Sequence, residues 1–548
     1  MRIKVSFLGG LNEIGKNMTL FEFDNEMIIL DAGFEFPSAD LLGIDRVIPD
    51  ITYALQNKKK IKAIILSHGH ADHIGGLRYF SKDLGYPPIY ATALTIGIVK
   101  SELPSYVSKN LQFHEVSLPS SIKIGKIKID FLRVTHSIPD GMATVFHTPH
   151  GNVFHGGDFK VDLTPIDGKP IDLQGIAHAG KEGTLLYLGD STNADEPGFT
   201  ASEKTVGLKL EDLIRACSGR VIVATFSTNL HRVQQVFDIA EKVNRKVLVD
   251  GRSMMNTIQV AKELGYSSIP NHLLVKPQEL QNIPDKKLIV LTTGTQGEPF
   301  SGLTKMAHKQ HDILKLKKGD KVIISADPIP GNEASVTKNI NSLIRLGADV
   351  VYRTEGIHAS GHGSREDLRL MMSLIKPTFF IPVHGEYRQM FAHCKIAQEV
   401  GVPEENTRIC DNGDSIALTK TTMKHVGRVP AAPIYIDGRN IGDIGQSVIN
   451  ERKVLSREGV LNVVVIADIK KRTMTTSPLI ETKGLISSDF SSDLYEKVTH
   501  GIQEIVKKWS RQNGKGSDLE IMIKGYLSGF FSSEVHRRPV IFVSVIES

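Results

Sequence analysis

Residues 61–73 read IKAIILSHGHADH. An apolar run of strand length delivers His68, His70, Asp72 and His73, four potential metal ligands in six residues. This stretch constrains the fold. The strand must be buried, and its exit must meet ligands brought from elsewhere in the chain. Side chains alternate along extended backbone, so an extended loop would put His68, His70 and Asp72 on one side and His73 on the other. One loop could then feed two adjacent ions. Neutral imidazole suits zinc and other late first-row divalent ions, and carboxylate oxygen suits zinc or manganese. A lone histidine would be read as a solvated loop residue; this spacing argues against that.

Other apolar runs end in the same way. Met27-Ile28-Ile29-Leu30 stops at Asp31, which alone reads as a turn former but near the histidine loop would orient a ligand imidazole. His136 follows Val134-Thr135, and Asp158 follows His155-Gly156-Gly157. The run 184–188 leads into Asp190, and 378–383 leads into His384. A sheet edge that collects residues from distant strands builds a site in this way.

With 548 residues the chain is too long for one core and should form several domains. Lys and Arg total 66 against 61 Asp and Glu, a formal charge of +5, which permits a nucleic-acid partner without requiring one. The three cysteines, Cys217, Cys394 and Cys410, lie far apart without metal-type spacing, so a reduced, cytoplasmic compartment is expected. No apolar run is long enough to span a membrane, and none is expected to.

From about 200 to 350 strand and helix patterns alternate, as in a parallel α/β unit. Its loops carry Ser, Thr, Asn and Gly, including Ser227 and Asn229; singly these are turn and cap residues, together they can hold phosphate. The stretch HASGHGS then clusters His358, Ala359, Ser360, Gly361 and His362. Residues 424–459 read as a connection, and 460–548 as a small α+β domain with a basic, solvated helix face.

The ligand set and its spacing resemble the metallo-β-lactamase fold. The αβ insertion, Asp190, HASGH and PVHGEY resemble its β-CASP branch, which acts on nucleic acids. GGLNEIGKN (9–17), LLGID (41–45), GDST (189–192), TFSTNLHRVQQ (225–235), TTGTQGEP, PIPGNE, IDGRNIGDIG (436–445) and RRPV (537–540) extend the resemblance to the bacterial ribonuclease J family over nearly the whole chain. The implied architecture is α/β: an αββα sandwich from residues 1–200 and 354–423, an inserted β-CASP domain at 201–353, a linker at 424–459 and an α+β C-terminal domain at 460–548.

The resemblance implies two divalent ions per subunit, zinc first, with manganese or magnesium able to support turnover. His68, His70 and His136 would hold one, and Asp72, His73 and His384 the other, with Asp158 bridging. Asp72, His362 and Asp190 would be catalytic, and Asp31 would orient a ligand. Ser227, Asn229 and His358 to His362 would bind a terminal phosphate. Leu42, Ile44 and Asp437 would hold a structural calcium ion. The chain departs from the family pattern at Ala71, Gly156 and Asp327. The implied activity is hydrolysis of single-stranded RNA, 5′-to-3′ from 5′-monophosphate ends with endonucleolytic cutting besides, in mRNA decay and rRNA maturation. A homodimer or homotetramer through the C-terminal domain, or a paralogous partner, would be the assembly. The alternatives are an inactive scaffold subunit beside an active paralogue, and a metallo-hydrolase of small molecules.

Overall fold

The computed structural model describes residues 1–548 apart from 39, 330, 355, 439, 488–490, 513 and 514. Pro330 of PIPGNE and Arg439 of IDGRNIGDIG therefore lie outside the described residues. Contacts divide the chain into two bodies: residues 1–38 with 45–434, and residues 39–44 with 435–548.

Among the described residues the first body holds three large sheets. One has eight strands in the order Met423–Arg428, Asp414–Leu418, Ile3–Gly9, Met18–Phe23, Glu26–Leu30, Ile61–Ile65, Ile89–Ala91 and Phe113–Glu115. A second has six: Phe379–Val383, Thr184–Asp190, Asn152–His155, Gly141–His147, Ile127–Val134 and Ser120–Ile124. Their inner faces share one core that includes Phe7, Phe21, Ile65, Phe131, Phe146 and Leu188. Phe21 and Phe146 meet across it with ring centroids 4.5 Å apart. Each such side chain contributes roughly 1.5–3 kcal/mol on burial. Helices Leu173–Gly183, Arg365–Ile375 and Tyr387–Glu399 supply Ile176, Met371, Met372 and Ile396 to a core with Phe154, Tyr187 and Phe380 of the six-stranded sheet.

Ile61–Ile65 runs parallel to both of its neighbours, Glu26–Leu30 and Ile89–Ala91. Parallel strands covered on both faces read as continuous apolar runs, which is why IKAIIL shows no alternation. The inserted unit is a five-stranded, all-parallel sheet ordered Lys246–Val249, Leu288–Thr292, Val221–Ala224, Lys321–Ile324 and Asp349–Val351. It carries a separate apolar core on each face.

Residues 424–459 are not a bare connection. Met423–Arg428 is an edge strand paired with Asp414–Leu418, and Gln446–Glu458 is a helix. The strand reads MKHVGR, with all but its first residue exposed, and a polar edge strand looks like a loop in sequence.

In the second body Val460–Asp468 pairs with Thr473–Met474, Leu479–Lys483 and Val540–Glu547. Its inward residues Leu461, Val463 and Val465 pack with Trp509 of helix Ser491–Ser510 and Ile523 of helix Gly516–Phe530. Among the described residues no helix is long and apolar enough to cross a membrane.

Candidate metal centre

Strand register assembles the site. Leu30 pairs with Ile65, so Asp31 leaves its strand beside Ser67 and His68. Asp190 pairs with Val383, so the next residue, His384, leaves beside Asp190. Asp31 and His384 both turn out of their strands with left-handed backbone, φ +63° and +53°. That conformation costs a non-glycine residue about 1 kcal/mol or more and persists where the surroundings over-determine it.

The histidine loop does not stay extended. His70 is the extended cap of a short helix, Ala71–Ile74, closed by Gly75 N–H donating to the Ala71 carbonyl at 2.7 Å. The helical turn lets the adjacent Asp72 and His73 reach one point, which alternation would have forbidden. Close packing beneath it demands glycine: a Cβ on Gly33 would lie 1.6 Å from the Asp72 carbonyl oxygen.

Among the described residues the first cluster of candidate ligand atoms is His68 with His70 and His136, and the second is Asp72 with His73, Asp158 and His384; a third group, Asp158 with Asp190, His362 and His384, overlaps the second. Asp158 lies between the first two. Its Oδ2 is 3.2 Å from His73 Nε2, 3.8 Å from His68 Nε2 and 4.0 Å from His136 Nε2. His136 is oriented by donating from Nδ1 to the Gly361 carbonyl at 2.7 Å. His384 Nδ1 meets Thr192 Oγ1 at 2.8 Å, and its Nε2 lies 3.2 Å from Asp72 Oδ2.

These residues fit a divalent metal. His70 Nδ1 lies 2.9 Å from His68 Nε2 and 3.1 Å from His136 Nε2. Three neutral rings meet at that point with at most one shared hydrogen, whereas one cation engages all three lone pairs; ligand nitrogens on tetrahedral zinc sit about 3.3 Å apart. Burial, with neighbouring imidazolium charge, holds His68 and His136 far below the usual imidazole range, and burial brings His70 to about 4 despite Asp72 and Asp158. All three are therefore neutral and have lone pairs to offer a cation. In the second cluster burial opposes charge on His73 and His384. The carboxylates of Asp158, Asp72 and Asp31 outweigh it at His73, raising its pKa strongly. Asp158, Asp190 and Asp72 raise His384 to about 10. Burial would raise Asp72 and Asp158, yet the facing imidazoliums hold both well below the carboxylate range. Protons stand where a cation would sit.

His362 donates from Nδ1 to Asp190 Oδ2 at 2.7 Å and stacks on His384 with centroids 5.3 Å apart. Its carbonyl is held by Thr200 Oγ1 at 2.8 Å and Asn193 Nδ2 at 3.2 Å. Ser360 Oγ accepts from the His362 N–H at 3.2 Å. His358 is pushed down to about 3 by burial and by Arg232 and Lys160, and its Nδ1 is buried without a partner. Ala359 is buried. Ser227 Oγ faces Ser253 Oγ at 3.2 Å. Asn229 also has a structural duty. It is 2% exposed and caps helix Leu230–Lys242, its Oδ1 accepting from Arg232 N–H at 3.1 Å, so that oxygen is engaged by the helix.

Several working residues had no assigned role in the sequence reading. Ser67 Oγ lies 2.9 Å from Asp31 Oδ2 and 3.0 Å from His68 Nδ1, and Asn17 Nδ2 lies 3.2 Å from His73 Nε2. Both stand inside stretches already singled out, which was the available signal. Leu42, Ile44 and Asp437 belong to the second body, where Leu42 and Asp437 meet at one arginine, Arg452.

Fold and centre together define a metal-dependent hydrolase of the metallo-β-lactamase superfamily with an inserted β-CASP domain. Family models agree. The metallo-beta-lactamase superfamily matches residues 11–210, the ribonuclease J beta-CASP domain 218–343, the Zn-dependent metallo-hydrolase RNA specificity domain 347–409 and the ribonuclease J C-terminal domain 447–548. The chain is 40% identical to ribonuclease J 1 of Streptococcus pyogenes, covering 99% of this chain and 97% of that one. It is 38% identical to ribonuclease J of Thermus thermophilus (100% and 95% covered) and 37% identical to ribonuclease J2 of Bacillus subtilis (100% and 98% covered). The chain belongs to the ribonuclease J family of metal-dependent ribonucleases. A crystal structure of a protein of unknown function from Enterococcus faecalis shares the fold, with a TM-score of 0.55 at 18% identity over 76% of this chain and 100% of that one.

Proposed function

We propose that this chain hydrolyses phosphodiesters of single-stranded RNA at a two-metal centre, 5′-to-3′ from monophosphorylated ends, with endonucleolytic cutting of internal bonds. The observation that carries this reading is the pair of ligand clusters sharing Asp158, at one sheet edge, next to the His358–His362 segment. His68, His70 and His136 would hold one ion, and Asp72, His73 and His384 the other. Zinc suits the donor set, and manganese or magnesium could support turnover. When bound, the ions supply Lewis acidity and lower the pKa of water.

The chain's own groups do the rest. Asp72, 30% exposed at its side chain, can accept a hydrogen bond from the attacking water. His362, whose protonated form the Asp190 carboxylate favours, can donate a proton to the departing oxygen. Ser227, Ser360 and the neutral His358 offer donors suited to a terminal phosphate, and a 5′-triphosphate would overfill that space.

We further propose a cytoplasmic enzyme, in keeping with its three free cysteines. Its self-association would run through the C-terminal sheet, whose outer face exposes Leu479, Phe542 and Ile546. The test uses one RNA labelled at its 3′ end, carrying either a 5′-monophosphate or a 5′-triphosphate, with wild type and His70→Ala and with zinc or manganese supplied. Rapid loss of the monophosphate RNA alone, abolished by the substitution, is expected. Equal decay of both ends would overturn the phosphate pocket. No decay with any metal would turn the reading to a scaffold subunit that needs a paralogous partner.

A further inference from the structure

The family resemblance implies a calcium ion on Leu42, Ile44 and Asp437, and the residues here do not suit one. Arg452, on helix Gln446–Glu458, reaches both key groups. Its Nη1 donates to the Leu42 carbonyl at 2.9 Å and its Nη2 to Asp437 Oδ2 at 2.7 Å. The surrounding pocket is lined by Leu42, Gly43, Asp437, Arg452, Leu455 and Ser456, all within the second body. Gly43 is left-handed, φ +74°, and a Cβ there would come within 2.7 Å of Arg452 Nη1. The turn is thus shaped to let the guanidinium approach. The next residue repeats the tie, with Lys453 Nζ 2.5 Å from Asp40 Oδ2.

Calcium needs six to eight oxygen ligands. Here the carbonyl and the carboxylate both receive hydrogen bonds from a cation, and a divalent ion would be placed against that positive charge. A guanidinium also matches this geometry better than a metal. It is planar, carries several donors and is charged at every physiological pH.

We propose that Arg452 is the resident cation of this pocket. It joins the Leu41–Gly43 turn to the strand that carries Asp437, and it makes this body independent of calcium.

Thermal denaturation of the full-length protein tests this, with zinc kept constant and calcium either withheld or added at millimolar concentration. Wild type should melt at the same temperature in both. Arg452→Met should melt roughly 2–5 °C lower without calcium. Added calcium should recover at least half of that loss, because the freed oxygens can then take the ion. In Asp437→Asn/Arg452→Met calcium should recover nothing. A wild-type melting temperature that rises with calcium overturns the proposal. So does an Arg452→Met protein that melts like wild type without calcium, one that calcium does not rescue, or a double variant rescued as well as the single. Should Arg452→Met fail to fold, equilibrium dialysis of wild type against calcium decides. One ion per chain, lost in Asp437→Asn, overturns the proposal, and none supports it.

Discussion

Asp31 Oδ2 accepts from His73 Nδ1 at 2.8 Å while its Oδ1 accepts from the Ser67 N–H at 2.7 Å. One carboxylate thereby fixes the tautomer of a ligand ring, aims its Nε2 at Asp158 and pins the start of the histidine loop. Partners behind a ligand histidine are commonly worth about 10–100-fold in metal affinity. Asp31→Asn should lose that much zinc or manganese affinity, since an amide cannot accept from every donor around it, and should keep its thermal stability. Asparagine tolerates the left-handed backbone that Asp31 adopts. Asp31→Ala should lose the affinity and about 1 kcal/mol of stability besides. Metal titration and urea denaturation of the two variants separate the effects.

His362 and Asp190 form the second such pair. Burial opposes a charge on His362, but the adjacent Asp190 carboxylate and its hydrogen bond raise the imidazole above its ordinary value. An acid of this kind works below its pKa and fails above it. Wild-type kcat should therefore fall as pH rises past that raised value. Asp190→Asn should move the falling limb to lower pH, because the charge that stabilised the imidazolium is gone. His362→Ala should lose about 10²- to 10⁴-fold in kcat and the limb with it. A limb that stays in place in Asp190→Asn would sink the role given to His362.

Much of this was legible because Asp31, His68, His136, Asp158 and His384 each follow a strand or its apolar run, so the residues that converge at the site stand at strand exits. The inserted parallel unit showed itself by its alternating pattern for the same reason. What stayed hidden is tertiary or too short to have a period. The Ala71–Ile74 turn has four residues, so no helical spacing announces it, and strict alternation assigned Asp72 and His73 to opposite sides. Asn229 was in plain view as a polar residue after a strand, but only the fold shows that its Oδ1 caps helix Leu230–Lys242. Residues 39–44 join a body formed by residues from 435 onward, and no local pattern carries that information. Arg452 sits on a polar helix, where an arginine reads as one more solvated charge.

Metal removal should reverse how stability depends on pH. In the metal-free protein His384 is raised to about 10, well above the ~6.5 of a free imidazole. Its contribution is complete below pH ~6.5 and is lost as pH climbs towards 10. Asp72 and Asp158 are depressed, so theirs is present above ~3.8 and lost on acidification. His68, His70 and His136 are depressed, so their contribution is present above ~6.5 and lost on acidification. Metal-stripped protein should be most stable near pH ~6.5 and weaken above neutrality. Metal binding must expel protons from His73 and His384, so affinity should rise with pH over the same range. Melting temperatures from pH 5 to 9 (roughly that window), with and without zinc, should diverge as pH rises. Parallel curves would show that these histidines do not exchange protons for metal.

Arg232 offers the sharpest stability test. It is 0% exposed, its Nε reaches Glu203 Oε1 at 2.5 Å, and its Nη1 donates to the carbonyls of Ser325 at 3.0 Å and Ile357 at 3.3 Å. It ties two helices of the inserted unit to the exit of strand Lys321–Ile324 and to the residue before His358. Removing one partner of such a buried pair costs about 3–5 kcal/mol, largely because the remaining charge is stranded. Arg232→Met should lose that much in urea denaturation. Glu203→Gln/Arg232→Met should recover more than half of it, since the stranded carboxylate is gone. Both variants should show a higher KM for 5′-monophosphate RNA, because Arg232 holds Ser325 Oγ, the hydroxyl that donates to the Ile357 carbonyl beside His358 at 2.5 Å, whichever residue stands at 203. A double variant restored in stability yet still raised in KM would assign the pair two separable duties. Restoration of both would leave Arg232 a purely structural residue.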